Sequence, residues 1–199
     1  MFITPVLKPR VAQQIDQVEL FLETFKETLI NPVVAGGAPR DWFFGNPARD
    51  IDIFVEAGTD LTSILKFYEN LENSFTVTKT KAELPAHYQS PYISSVMDVY
   101  TSGKTKIQLV VLEEGFPAAT VTDNFPISIS KITYKNYSID PSEEFLYSVR
   151  HARLTVDVGV DPQLPYIQKI RAYFHTYKLV TQRRGETRFT GISDIEDLF

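Results

Sequence analysis

The sequence predicts an α/β (α+β) chain: a small mixed β-sheet with helices packed on it, followed by a short C-terminal helical extension. Two patterns point there. Stretches with apolar residues at every third or fourth position alternate with stretches of period two, the marks of amphipathic helices and half-buried strands. The composition suits a packed core, since 43% of the 199 residues are hydrophobic, 23% are charged, and the mean hydropathy is −0.13.

The elements follow in order. Residues 10–30 place Val11, Ile15, Val18, Leu22, Phe25 and Leu29 on one helical face. Asn31-Pro32 ends that helix, because proline disfavours helix in the residue before it. Pro32 to Ala35 reads as a short buried strand, broken by Gly36-Gly37. Ala38 to Phe44 reads as a short helix, with Pro39 suited to its first turn and Gly45 to its stop. Residues 50–55, DIDIFV, alternate, with Ile51, Ile53 and Val55 on one side and Asp50, Asp52 and Phe54 on the other.

A helix over 60–73 follows, through Leu61, Ile64, Leu65, Tyr68 and Leu71. Residues 75–81 read as a strand and 82–91 as a loop. Residues 93–101 and 105–112 read as a hairpin turning at Ser102-Gly103, a turn that pairs residue 98 with 107. Residues 127–135 alternate as another strand, with Ser128 and Ser130 on one face and Lys131 a solvated strand residue. A helix near 142–150 comes after Pro141. The last long helix, 163–183, buries Ile167, Ile170, Phe174 and Tyr177 and exposes Lys169, Arg171, Lys178 and Arg183. The expected organisation is a head over residues 1–140 and a helical extension over 141–199.

Composition removes several chemistries. With no cysteine, thiolate nucleophiles, disulfides and cysteine-based metal sites are excluded. The three histidines, His87, His151 and His175, are scattered and read as surface or core-edge residues. No apolar run approaches the roughly 18–20 residues that cross a bilayer. The opening MFITPVLKPR lacks the apolar core of a secretory signal, so the expected compartment is the cytoplasm, a host's cytoplasm if the chain is viral. Neither a P-loop nor a Gly-x-Ser-x-Gly elbow is present.

The net charge of −5 is uneven. Residues 150–188 hold 8 Lys/Arg against 3 Asp/Glu, a local +5, while residues 1–149 carry −7. An acidic chain is not a general nucleic-acid coat, but the basic segment suits a local phosphate-bearing partner. It is expected to border the same cleft as Asp50 and Asp52.

That cleft is read from residues 33–55, VVAGGAPRDWFFGNPARDIDIFV. A buried strand runs into two glycines and the start of a helix, an arrangement in which backbone approaches a phosphate closely. The next strand puts Asp50 and Asp52 on one face, about 7 Å apart along it. Two such carboxylates, converging with a phosphate, suit hard divalent cations.

The segment resembles the head-domain signature of the DNA-polymerase-β-like nucleotidyltransferases, above all bacterial-type CCA-adding enzymes and poly(A) polymerases. Those carry Gly-Gly, Arg-Asp in a short helix, a Gly, then Asp-x-Asp on the next strand. Here the matching residues are Gly36-Gly37, Arg40-Asp41, Gly45 and Asp50-Ile51-Asp52. The chain is also similar to small bacteriophage nucleotidyltransferase-like proteins. The resemblance implies a nucleotidyltransferase fold and Mg²⁺ (or Mn²⁺) held by Asp50 and Asp52. It implies contacts from Gly36, Gly37 and Arg40 to the phosphates of an NTP such as ATP, and nucleoside monophosphate transfer to a hydroxyl with release of pyrophosphate. From the residues alone, Arg40 also suits a salt bridge with Asp41 or Asp50. Arg49 reads as solvated or paired to Asp41.

The chain departs from its relatives at three places. Many carry a third carboxylate on the strand matching 105–112, where this chain has Gln108, and Asp98 reads as a surface acid on the opposite face. The helix that begins Glu-Asp-x-x-Arg in CCA-type enzymes, which reads the base, is replaced by Leu164-Pro165-Tyr166-Ile167-Gln168. Within these 199 residues no counterpart is expected of the RNA-gripping body of a full CCA-adding enzyme. The acceptor is open among an RNA 3′ end, a protein and a small molecule. The alternative to a transferase is a nucleotide- or protein-binding module that keeps the fold without efficient catalysis.

Overall fold

The computed structural model describes residues 8–69, 76–83, 90–100 and 105–182. The Ser102-Gly103 turn, Leu71, His87 and Arg183 lie outside the described residues. Helix α1 spans Pro9–Thr24, followed by β1 (Val33–Ala35), α2 (Gly37–Phe43), β2 (Asp50–Val55), α3 (Leu61–Glu69), β3 (Thr76–Thr80), β4 (Ile93–Tyr100) and β5 (Lys106–Leu112). Then come β6 (Ile132–Lys135), β7 (Ser138–Pro141), α4 (Glu143–His151), β8 (Arg153–Asp157), α5 (Pro165–Tyr173) and β9 (Lys178–Gln182).

Among the described residues, seven strands form one sheet in the order β3-β4-β5-β2-β1-β6-β7. β2 and β5 run parallel, and the other neighbours run antiparallel. The mixed sheet with covering helices expected from the sequence is therefore present.

The alternation of β2 sets the two layers. Ile51, Ile53 and Val55 enter a core with Ile107, Leu109 and Val111 of β5 and Met97 and Val99 of β4. Helix α1 covers this face with Val11, Ile15, Val18 and Phe21, and α3 adds Ile64 and Tyr68. Trp42 of α2 is fully buried in the same core, edge-on to Tyr134, and donates its indole N–H to Gln14. The opposite face divides along its length. Phe54, Val96, Val110 and Leu112 pack with Val33, Ala35, Ala118 and Val121 at one end. Asp50 and Asp52 of β2, Lys106 and Gln108 of β5 and Asp98 of β4 share that face at the other end, by the alternation of their strands.

The C-terminal part differs from the expected helical extension. α5 stops at Tyr173, and Lys178–Gln182 forms β9 instead of continuing the helix. β9 pairs in parallel with β8, so two strands alternate with α4 and α5. Their core gathers Phe145, Leu154, Val156, Ile167, Ile170 and Phe174 around Ile127, Ile129 and Ile132. Residues 127–135 are not one strand either. Ser128–Ser130 winds as a 3₁₀ turn before β6. Its hydroxyls are buried: Ser128 shares a hydrogen bond with Ser148, and Ser130 accepts one from Tyr166.

Candidate active site

The site is built where β1 ends and β2 begins. β1 is antiparallel to β2, with Val33 opposite Phe54 and Val34 opposite Ile53. Continuing that register brings Ala35 level with Asp52, so the Gly36-Gly37 turn emerges at the Asp50 end of β2. Gly36 has φ +83°, and a Cβ there would stand 3.3 Å from the Phe125 ring. Both its conformation and its space require glycine. At Gly37 a Cβ would lie 3.8 Å from the Arg40 guanidinium, which hangs over the turn.

Arg40 is committed on two sides. Its Nε and Nη2 reach Asp41 Oδ1 at 2.8 and 2.7 Å. Its guanidinium also lies over the Tyr173 and Phe174 rings of the C-terminal part, 5.7 and 5.8 Å from their centroids. Burial pushes the Asp41 carboxyl above the usual aspartate range. Asp50 pushes the same way, and Arg40 and Lys169 oppose it. Lys169, the first base of the expected basic face, is exposed and acts electrostatically on Asp41 of α2. Arg171 and Lys178 are exposed.

Asp50 and Asp52 are both half-buried. Arg49 binds Asp50, its Nη2 2.8 Å from Asp50 Oδ2. The greatest departure from the sequence reading lies one and two strands away. In the parallel register Asp52 faces Gln108, so Gln108 does stand beside the carboxylate pair. Across the hairpin Gln108 faces Asp98, not the opposite surface. The residues joining Tyr100 to Lys106 number five, one more than the expected turn required, and the extra residue shifts Asp98 to the inner side. Asp98 is buried, accepts the Gln108 Nε2–H at 2.7 Å on Oδ1 and pairs with Lys106 Nζ at 3.2 Å on Oδ2. It is no surface acid. Lys131, read as solvated, is 7% exposed and lies 3.4 Å from Glu144.

Sequence reasoning missed Tyr166 on α5. Its hydroxyl donates to Ser130 Oγ at 2.7 Å, and both Arg40 and Asp52 act on its ionisation. Burial holds that phenol above its usual pKa. The available signal was the helix replacing the Glu-Asp-x-x-Arg stretch, in which Tyr166 is a polar-tipped residue of the first turn.

The donor chemistry fits a hard cation. Among the described residues, no three His, Asp or Glu side chains gather as a metal site. A cation at β2 would rest on the Asp50 and Asp52 carboxylates and on oxygens of a bound ligand, a set Mg²⁺ accepts.

No protein-family profile matches the sequence, and no curated protein matches it. Solved structures do. The chain is 13% identical to the Thermotoga maritima CCA-adding enzyme complexed with tRNA, at a TM-score of 0.58, covering 88% of this chain and 40% of that one. A CCA-adding enzyme complexed with ATP aligns over 87% of this chain at 13% identity and a TM-score of 0.57. The chain has a nucleotidyltransferase-like fold. A tRNA-processing enzyme in its apo form aligns at 12% identity and a TM-score of 0.57, over 90% of this chain and 46% of its own. The chain thus spans less than half the length of these structures. Among the described residues, no helix is long and apolar enough to cross a membrane.

Proposed function

We propose that this chain is a metal-dependent nucleotidyltransferase, moving a nucleoside monophosphate from an NTP to an acceptor hydroxyl with release of pyrophosphate. One observation supports the reading: by strand register the two-glycine turn leaves β1 at the end of the sheet where Asp50 and Asp52 open β2. The fold shared with CCA-adding enzymes supports it.

In this reading the backbone at Gly36 and Gly37 and the guanidinium of Arg40 hold the phosphates. Asp50 and Asp52 are the catalytic and metal-holding pair. A divalent cation held there, Mg²⁺ or Mn²⁺, would neutralise the triphosphate and ease loss of the acceptor's proton. The protein forms no covalent bond, so its contribution is position and charge. Lys169, whose charge acts on Asp41, offers the start of a basic wall for a phosphate-bearing acceptor such as an RNA 3′ end; protein and small-molecule hydroxyls are the other acceptor classes.

Incubation of the purified chain with each labelled NTP, Mg²⁺ or Mn²⁺ and a cell extract tests the proposal. Labelled product and pyrophosphate are expected, with a drop of at least about 100-fold in Asp50→Asn/Asp52→Asn. The second reading, a nucleotide- or protein-binding module, draws on Gln108 standing where relatives carry a third carboxylate. It predicts nucleotide retention with no transfer in every extract.

A further inference from the structure

We infer that Tyr173, at the end of α5, is a positioning residue for Arg40. It holds that guanidinium at the two-glycine turn, so binding of a nucleotide's outer phosphates depends on the C-terminal part of the chain. The inference rests on the nucleotidyltransferase reading, in which Arg40 holds phosphates, and names what holds Arg40. Four residues from two separate stretches of chain close a ring of contacts. The Arg40 guanidinium meets the Asp41 carboxylate through Nε and Nη2. The Asp41 carbonyl accepts the backbone N–H of Asn46 at 2.8 Å. The Asn46 amide donates to the Tyr173 hydroxyl at 3.1 Å. The Tyr173 ring in turn lies under the Arg40 guanidinium, its centroid 5.7 Å away.

The two grips on Arg40 differ in kind. Asp41 takes the edge of the guanidinium, and both contacts end on one carboxylate oxygen, Oδ1. A single acceptor oxygen fixes where that edge sits but not the tilt of the guanidinium plane. Tyr173 and Phe174 restrain the tilt, their centroids 5.7 and 5.8 Å from the guanidinium carbon, within the range of a cation–π contact. Both rings are anchored beside α2: Tyr173 by Asn46, and Phe174 by the Phe44 ring at 5.5 Å between centroids. The orientation so held faces the turn, because Nη2 lies 3.8 Å from the Cβ position of Gly37. A terminal guanidinium nitrogen carries two hydrogens, so Nη2 keeps one for a ligand at the turn after meeting Asp41. The Arg40 side chain is 13% exposed, so water screens its charge poorly.

Titration calorimetry of the full chain with Mg²⁺ and non-hydrolysable analogues of ATP, GTP, CTP and UTP, each against its monophosphate, tests this apart from turnover. Tyr173 is 52% exposed, so replacing it leaves the core closed, and a thermal melt checks that each variant is folded. Wild type is expected to bind at least one triphosphate more tightly than the matching monophosphate. Tyr173→Leu should weaken the triphosphate about 3- to 30-fold, the scale of a cation–π contact, and leave the monophosphate within about twofold. Tyr173→Phe keeps the ring and should retain most of the triphosphate preference. In an Arg40→Met background, Tyr173→Leu should change nothing further, since its effect passes through Arg40. Wild-type triphosphate affinity in Tyr173→Leu overturns the inference. Equal weakening of both nucleotides, or the same loss in the Arg40→Met background, overturns it too, and each of these results leaves the transferase reading standing. An undiminished triphosphate preference in Arg40→Met removes the phosphate role of Arg40 and the inference with it. No nucleotide binding by the wild type removes the inference and the transferase reading together.

Discussion

Asp41 sits on α2 between opposing charges. Its carboxyl is held above the usual aspartate range by burial and by Asp50, against the pull of Arg40 and Lys169. The sign of the pH effect follows. A folded-state pKa above the unfolded value means ionisation costs more in the folded chain, so stability falls as pH rises through the window starting at the ordinary value of 3.8. Urea denaturation at a series of pH values should therefore show wild type losing ground to Asp41→Asn across that window, then a constant difference above it. An unchanging difference from pH 3 upward would mean that Asp41 is not perturbed. Of the site residues, Asp50 and Asp52 were legible because strict alternation assigns a face without tertiary knowledge. Asp98 was not, because its face depended on the number of residues in a turn that sequence fixes only weakly.

Elements show where local pattern suffices and where it fails. The β1 to α2 junction was legible because two glycines, a proline at a first turn and a buried apolar triplet agree with one another. Gly36→Ala tests the junction: its φ of +83° and the Phe125 ring 3.3 Å away predict a loss of about 1–3 kcal/mol in chemical denaturation. A loss below about 0.5 kcal/mol would mean that the turn is not strained by a side chain. β7 was missed because its hairpin turns on Asn136-Tyr137, both at positive φ, and tyrosine gives no turn signal. β9 was missed because Phe174 and Tyr177 continue the helical spacing of α5, although the backbone has already left the helix at Phe174. The 3₁₀ turn at Ser128–Ser130 was read as strand because Ile127 and Ile129 enter one core, as they also would from a strand.

On the scale of the whole molecule, Arg40 joins α2 to the C-terminal part of the chain. Its guanidinium, beside Gly37, also lies over Tyr173 and Phe174, while Asn46 donates to the Tyr173 hydroxyl at 3.1 Å. The C-terminal part is thus packed onto the side of the cleft that holds Arg40, with Tyr166 and Lys169 on the same helix. The parallel pairing of β2 with β5 places Gln108 level with Asp52, and with the β4–β5 register it aligns residues of three strands in one polar row. The mixed sheet and its layers follow from periodicity. Which helix end meets which loop depends on packing between residues more than 100 positions apart, and no local pattern carries it.

The central claim is that Asp50 and Asp52 join a divalent cation to a nucleotide's phosphates. Titration calorimetry of the full chain with ATP, GTP, CTP and UTP, each with and without Mg²⁺, measures this directly. The account predicts binding of at least one nucleotide that requires Mg²⁺ and is lost in Asp50→Asn/Asp52→Asn. Equal binding with and without Mg²⁺, unchanged in the double variant, would contradict it.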